Sequence, residues 1–137
     1  MPAIIPADAE RLMTDRVQAV IDAEHLPAPP AGSAWKRGTI IAPNKTPQWF
    51  VHVRMVGGED LGPVAERPLV DVRVWTDGTP ATEATRSLAA RVLLARIRQA
   101  LPCRVFALPV PLPDPADPSK TLTLFTVQLL TRGAQSP

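Results

Sequence analysis

The chain has 137 residues, with 15 basic and 13 acidic side chains and a formal net charge of +2. Leu, Ile, Val and Phe make up 36 of the 137 residues, about 26%, which excludes a disordered chain, and the length predicts one domain over residues 1–137. Proline accounts for 17 residues, about 12% against a usual ~5%, so we expect stiff, extended segments within that domain.

The sequence also argues against a disulfide, a cysteine-based zinc site, a membrane-spanning helix and a signal peptide. The one cysteine, Cys103, excludes an internal disulfide and a zinc site built from several cysteines. No apolar run approaches ~18 residues, so we expect no membrane-spanning helix and no membrane partner. Residues 1–6 lack a basic region followed by a long apolar core, so no signal peptide is predicted.

The first predicted element is an amphipathic helix over residues 6–24. Pro6 suits the first helical position, where a missing N–H costs nothing, and Asp8 and Glu10 follow where the helix dipole favours negative charge. Pro27 stops the helix and begins a linker that reaches about residue 38. The apolar face of this helix consists of Ala9, Leu12, Met13, Val17, Val20 and Ile21.

Three strands are predicted after the linker. Residues 39–41 form a brief apolar run. In residues 49–56 and 68–76, mostly apolar side chains on one face alternate with more polar side chains on the other, as in half-buried strands. The pair Gly57-Gly58 predicts a turn after the second of these strands.

A second helix is predicted from about residue 80 to about residue 101. Thr79 is the expected cap, Pro80 suits the first helical position, and Pro102 marks the end. The apolar residues form two stripes, and Arg91 and Arg98 form a ridge between them. Such a helix needs two apolar neighbours: the sheet on one side, and the first helix or a second subunit on the other.

The remainder of the chain predicts two strands separated by a proline-rich loop. Residues 104–108 and 121–131 have the composition of strands, and a change of phase near Leu124-Phe125 predicts a bulge. Residues 109–120 contain five prolines, which favour extended backbone and exclude a central strand. Residues 132–137 are expected to form a loose tail.

The order of the predicted elements is helix, three strands, helix, two strands. This order predicts an α+β domain in which two helices pack on a mostly antiparallel sheet of about five strands. No internal repeat is present in the sequence.

The sequence contains no pattern typical of catalysis, cofactor binding or metal binding. His25 and His52 have no ligand or nucleophile at a useful spacing, and Cys103 has no positioned base. Glu59 and Asp60 are interpreted as part of a solvated turn. We therefore expect no catalytic residue, no cofactor and no metal ligand, and we expect that the protein is not an enzyme.

Polar residues on neighbouring strands are candidates for an interaction surface. His52 and Arg54 in one strand and Asp71 and Arg73 in the next fall on the same side of the predicted sheet. This side is either the solvated face of a half-buried sheet or a contact surface for another subunit.

The tryptophans leave two interpretations open. Trp35, Trp49 and Trp75 are typical of core packing, but tryptophan is also a frequent anchor at protein interfaces. We therefore keep Trp35 and Trp49 as candidate interface residues.

Arginines on the second helix are candidates for binding either protein or nucleic acid. Arg86, Arg91, Arg96 and Arg98 lie on this helix, but their positions scatter around it and do not form one phosphate-binding stripe. Arg91 and Arg98 are therefore kept as candidates for a protein interface.

The proline-rich segment has several interpretations. Its single P-x-x-P spacing is a weak signal for a polyproline ligand. The segment is otherwise a pre-ordered arm that contacts a neighbouring subunit, or a stiff connection between two strands. The candidate contact residues are Pro109, Val110, Pro111, Leu112, Pro113 and Asp114.

Residues 67–101 carry two patterns that resemble a known protein family. These patterns are R-P-x-V-x-V-x-V-W and, on the following helix, A-x-x-L-A-x-x-V, in which Thr85 replaces the first alanine. The sequence resembles the tail terminator proteins of long-tailed bacteriophages, especially those that infect actinobacteria. The order of elements agrees over about residues 6–131, and the proline-rich segment lies outside the pattern. The matching residues are Arg67, Pro68, Val70, Val72, Val74, Trp75, Leu88, Ala89 and Val92.

The resemblance implies a structural role without an active site. Tail terminators form a hexameric ring on the last ring of the tail tube, stop its growth and present a surface to the head-side connector. DNA passes through the ring without sequence-specific binding. The implied partners are copies of the chain itself, the major tail tube protein and the head-side connector or stopper. The implied location is the neck of a virion that is assembled in the host cytoplasm.

Two alternative functions remain open at this point. The nearer one is another head–tail connector or stopper protein of the neck. The alternative of another class is a small nucleic-acid-binding module.

Overall fold

The computed structural model describes residues 4–5, 8–39, 47–60, 65–132 and 134–135. Within them the chain forms two α-helices, a short 3-10 helix and eight strands. The helices are α1 (Ala9–Asp22) and α2 (Glu83–Ala100). The strands are β1 (Ile4–Ile5), β2 (Lys36–Gly38), β3 (Phe50–Asp60), β4 (Ala65–Trp75), β5 (Cys103–Pro113), β6 (Thr121–Leu129), β7 (Thr131–Arg132) and β8 (Ala134–Gln135).

The main sheet has the strand order β2-β3-β4-β6-β5. Strands β2 and β3 are parallel, and the other neighbours along this path are antiparallel. The short strand β7 pairs with β4 beyond the end of β6. This architecture confirms the predicted α+β fold and the predicted order of helices and strands along the chain.

One apolar core lies between the two helices and the sheet. α1 packs mainly on β2, β3 and β4, whereas α2 packs on β4, β6 and β5, so the helices cover opposite halves of the sheet. The valines that alternate along β4 all point into this core, as their spacing predicts. Fully buried members of the core include Met13, Val17, Val51, Val53, Val70, Val72, Val74, Ala89, Ala90, Leu93, Ile97, Phe125 and Val127.

The helix α1 is shorter than the predicted range of 6–24. The Asp8 carboxylate accepts a hydrogen bond of 3.0 Å from the backbone N–H of Arg11, so Asp8 is the cap and the helix begins after it. Pro6, the predicted first helical residue, lies outside the described residues. Leu12 is 40% exposed and not on the buried face, which corrects its predicted position.

The first predicted strand is displaced toward the N-terminus. β2 pairs with the beginning of β3, where Lys36 lies opposite Phe50 and Gly38 opposite His52. β2 therefore occupies part of the predicted linker. Thr39 follows it, and the other residues of the predicted range 39–41 lie outside the described residues.

The predicted turn at Gly57-Gly58 is wrong, because both glycines lie within β3. The register between β3 and β4 shifts between Met55 and Gly57, which marks a bulge, and pairing then continues to Asp60. Both glycines have φ +144°, and a Cβ on Gly58 would lie 2.5 Å from the Arg67 carbonyl oxygen. Gly58 is therefore required by the close approach of the two strands, Gly57 by its positive φ, and neither glycine reverses the chain.

The entry to α2 is organised by Asp77 and not by the predicted cap Thr79. Thr79 precedes a 3-10 helix (Pro80–Thr82) and makes no capping bond through its side chain. The Asp77 carboxylate instead accepts hydrogen bonds from the Thr79 backbone N–H, the Thr79 hydroxyl and the Thr82 hydroxyl. These bonds, that from Thr82 first, lower the pKa of Asp77 below its ordinary value.

Strand β5 corrects the prediction of a loop over residues 109–120. The strand continues through Pro113, and the connection to β6 comprises residues 114–120. β5 pairs with β6 and forms one edge of the sheet path, so the exclusion of the prolines from a central strand is confirmed. Pro111 and Pro113 are two residues apart, and their nitrogens, which carry no hydrogen, share one side of the strand.

Strand β6 lies inside the sheet, between β4 and β5. The bulge predicted near Leu124-Phe125 belongs to the opposite strand: the register shifts occur in β5, between Val105 and Ala107 and between Ala107 and Val110. β6 itself pairs with β4 without a shift. Phe125 is fully buried on the helix side.

The predicted loose tail at residues 132–137 is partly paired. Arg132 pairs with Ala65 at the end of β4, and β8 pairs antiparallel with β1 near the N-terminus. Residues 133, 136 and 137 lie outside the described residues.

We predict that Phe125→Ala lowers the free energy of unfolding by about 3–5 kcal/mol, because the aromatic ring is fully buried between sheet and helices. Leu124→Ala, at the half-buried neighbouring position on the other face, should cost clearly less. Urea denaturation followed by circular dichroism measures both values. Equal losses of unfolding free energy in the two variants would contradict the assignment of Phe125 to the core face of β6 and of Leu124 to the other face.

Candidate interaction surfaces

The sheet face opposite the helices carries the four polar residues predicted to lie together. Pairing of β3 with β4 places His52 opposite Arg73, and Arg54 opposite Asp71. The prediction that they share one face is therefore confirmed. Arg54 is exposed, Asp71 and Arg73 are half-buried, and His52 is buried with 6% of its surface exposed.

Asp71 is held from the neighbouring strand. The Thr126 hydroxyl donates a hydrogen bond of 2.6 Å to Asp71 Oδ1, while Arg73 Nη2 lies 3.9 Å from Asp71 Oδ2. An ion pair this long and partly solvated contributes no more than ~1 kcal/mol. The hydroxyl bond is thus the main interaction that orients this carboxylate.

The imidazole ring of His52 is buried. Its Nε2 lies 3.1 Å from the Thr39 carbonyl oxygen, which only accepts, so Nε2 carries the hydrogen. Its Nδ1 is buried without a hydrogen-bond partner among the described residues. Burial is the main cause that lowers the pKa of His52, and the positive charges of Arg73 and Arg54 act in the same direction.

The connection between β5 and β6 folds over the end of this sheet face. Trp75 Nε1 donates a hydrogen bond of 2.8 Å to Asp114 Oδ2, and both residues are almost fully buried. Asp114 Oδ1 accepts a second bond from the Ala116 backbone N–H. Asp114, a predicted contact residue, thus makes its contacts within its own chain.

Trp35 and Trp49 pack against each other inside the chain. Their ring centroids are 5.2 Å apart with an interplanar angle of 79°, an edge-to-face geometry that aromatic rings prefer. Trp35 Nε1 donates to the Pro27 carbonyl at 2.8 Å, which fixes the segment between α1 and β2. Both rings are buried, so the core-packing interpretation describes their observed environment.

Among the described residues, the most exposed large apolar side chains lie on the edge strand β5. Phe106 is 62% exposed and Leu108 is 68% exposed, and Val110 and Leu112 are 45% and 36% exposed. Val110 and Leu112 were predicted as contact residues from the sequence, whereas Phe106 and Leu108 were not. Their residue types were visible, but the two bulges that turn them outward have no local sequence signal.

A groove of about 420 Å³ runs between α2 and β5. Leu94, Leu108 and Pro109 supply apolar walls, and the exposed Arg91 and Arg98 flank them. Further toward the start of α2, the same side of the helix faces Pro111 across a second hollow. We call the first of these hollows the α2–β5 groove.

Arg86 differs from the other arginines of α2 because it is buried. Its Nε donates to the Thr123 hydroxyl at 2.9 Å, and its Nη1 donates to the Thr121 carbonyl at 3.0 Å. Burial lowers the pKa of Arg86 from its ordinary value, and the Glu83 carboxylate opposes that effect. Arg86 is therefore part of the packing between α2 and β6, a role that sequence spacing did not reveal.

Cys103 is half-buried at the beginning of β5, beside the apolar core. Burial raises the pKa of its thiol, so the thiol form is favoured at neutral pH. A half-buried thiol beside the core packs as a small apolar side chain.

Neither a metal cluster nor a membrane-spanning helix is found among the described residues. In the described ranges, no group of three or more His, Cys, Asp or Glu side chains is placed to hold a metal ion. No helix within those ranges is both long and apolar enough to cross a membrane. Comparison of the sequence with known protein families and with curated proteins finds no match.

We predict that the protein becomes less stable as the pH falls below about 6.5, the ordinary pKa of histidine. The lowered pKa of His52 means that the unfolded chain binds a proton before the folded one does, so stability is lost below the unfolded value of 6.5. His52→Gln should reduce this dependence, whereas His25→Gln, at an exposed position, should retain it. Urea titrations at several pH values measure the effect, and an unchanged slope in His52→Gln would contradict it.

We predict that Asp114→Ala lowers the free energy of unfolding by about 1–3 kcal/mol, because the buried indole N–H of Trp75 loses its acceptor. Asp117→Ala is the matched control, since this carboxylate bonds to nearby Ser119 in the same connection. Chemical denaturation measures both variants. If Asp117→Ala lowered the free energy of unfolding as much as Asp114→Ala, the hydrogen bond to Trp75 would have no special role.

Proposed function

We propose that this protein is a structural tail terminator of a long-tailed bacteriophage. In this role it forms a hexameric ring on the tail tube, stops tube growth and joins the tail to the head-side connector. DNA passes through the ring without sequence-specific contacts. The proposal starts from the sequence patterns around β4 and α2, and the α+β fold with its confirmed order of elements supports it.

The observation that carries the proposal is the exposure of apolar side chains near opposite edges of the sheet. At one edge, Phe106 and Leu108 project from β5. On the other side, Met55 and Val56 are 46% and 51% exposed on β3, beyond the residues that pair with β2. Groups of exposed apolar side chains are typical of interaction surfaces.

Two unlike surfaces on opposite sides of a subunit favour head-to-tail contacts. Such contacts join different patches of neighbouring copies and generate a closed ring when the rotation between copies closes. A two-fold dimer, in contrast, uses one patch on both partners. The distribution of exposed apolar residues therefore supports a ring more directly than it supports a dimer.

Residues 109–113 of the proline-rich segment belong to β5 and not to a loop. The first half of the segment is paired with β6 as part of β5, and Asp114 is bonded to Trp75, so this half does not extend away from the sheet as a free arm. The exposed residues Val110 and Leu112 belong to the same edge as Phe106. We propose that this edge contacts the next subunit of the ring.

We predict that the purified chain forms rings visible by negative-stain electron microscopy and that Phe106→Asp combined with Leu108→Asp abolishes them. The two aspartates place charge in an apolar contact, which costs association free energy. Leu130→Asp is the control, because Leu130 is 43% exposed but lies outside β5. Mass photometry gives the number of copies in each particle.

A wild-type chain that stays monomeric up to its solubility limit, with and without the major tail tube protein, would refute the ring. Binding of the ring to portal-side rings instead of tube-side rings would favour the alternative of a connector or stopper. A monomer with salt-dependent affinity for DNA would favour the nucleic-acid-binding alternative.

A further inference from the structure

The α2–β5 groove combines an apolar surface with positive charge. Leu94, Leu108 and Pro109 line it, and Arg91 and Arg98 project on the same side of α2, seven residues apart. Seven residues are nearly two helical turns, so the two arginines lie in a row with roughly 10 Å between their positions on the helix. An occupant needs negative charges at a similar spacing next to an apolar side chain.

The outer face of α1 presents that complementary pattern. Asp8, Asp15 and Asp22 follow one another at intervals of seven residues, and all three are exposed. Leu12 lies beside this row and is 40% exposed. The neighbouring Arg11 forms a long contact of 3.9 Å with Asp15, but both side chains are largely exposed, so this pair holds the carboxylate weakly.

Exposed apolar residues of β3 extend the surface of α1. The backbone N–H of Met55 donates a hydrogen bond of 2.9 Å to Glu10 Oε1, which fixes the beginning of α1 beside this part of β3. Met55 and Val56 are about half exposed there. Together with Leu12 they provide apolar area for the exposed Phe106 and Leu108 of another copy.

We propose that the outer face of α1 in one copy docks into the α2–β5 groove of the next copy. The rows of aspartates and arginines pair across the contact, and the apolar residues beside each row pack together. The occupant of the groove is a second copy of this chain, because the chain itself carries the matching charge spacing.

The positions of the two surfaces make this contact head-to-tail. α1 covers the half of the sheet that includes β2 and β3, whereas the groove lies at the opposite edge, next to β5. One copy therefore offers its groove on one side and its α1 on the other. This inference rests on the proposed ring, and it names the residues that join neighbouring subunits.

Charge reversal in two separate variants tests the contact. Asp15→Arg puts a positive charge opposite the arginines of the groove, and Arg91→Glu puts a negative charge opposite the aspartates of α1. We expect each variant by itself to associate roughly tenfold more weakly than the wild type, or worse, because like charges then face each other. Sedimentation velocity over a concentration series measures the association.

A mixture of the two variants provides a sharper readout. The reversed α1 of Asp15→Arg fits the reversed groove of Arg91→Glu, and the wild-type surfaces of the two variants fit each other as well. We therefore expect the equimolar mixture to recover association that neither variant has alone. Lys36→Glu is an equal change of charge at an exposed position of β2 that belongs neither to the α1 face nor to the groove, and it should associate like the wild type.

The possible results separate this inference from the proposed function. Rings that persist in both variants, or variants that do not complement each other when mixed, would overturn the contact while the ring proposal stands. Open filaments or dimers that still show complementation would support the contact and refute the closed ring. A wild-type chain that remains monomeric at its solubility limit, with and without the major tail tube protein, would overturn both.

Discussion

The prolines of β5 suit it to the edge of the sheet, and this edge position determines how β6 and α2 pack beside it. Pro111 and Pro113 carry no backbone N–H, so the strand is suited to pairing on one side only. β6, which contains no charged residue, becomes the inner strand beside it. α2 covers β6 and reaches β5, and the groove between helix and edge strand follows from that arrangement. Prolines in an edge strand also hinder the addition of further strands.

Patterns with a regular period predicted the fold well. The alternation of Val70, Val72 and Val74 placed β4 correctly, because burial on one face imposes a period of two on any strand. The apolar periodicity of both helices likewise located them to within a few residues. Features that depend on a residue far away in the sequence were not predictable. The local sequence around Gly58 predicts a turn, but the glycine is needed because the carbonyl of Arg67 in the next strand lies so close to it.

The candidate surfaces were likewise predictable only where they follow from a regular pattern in the sequence. The sequence grouped His52, Arg54, Asp71 and Arg73 correctly, since strand alternation and pairing of consecutive strands are enough to do so. It did not reveal that the sheet end is closed by the β5–β6 connection, because the hydrogen bond concerned joins residues 39 positions apart. The exposure of β5 side chains was missed for a related reason: bulges change the direction of side chains without changing the residue types.

The buried Arg86 has a consequence for how α2 is oriented. Its guanidinium is bonded to the Thr123 hydroxyl and the Thr121 carbonyl of β6, so the helix cannot turn about its own axis without breaking both bonds. These bonds, on the side of α2 that faces the sheet, therefore set the direction of the side chains on its exposed side. Substitutions on the exposed side can change the chemistry of the groove without changing how the helix sits on the sheet.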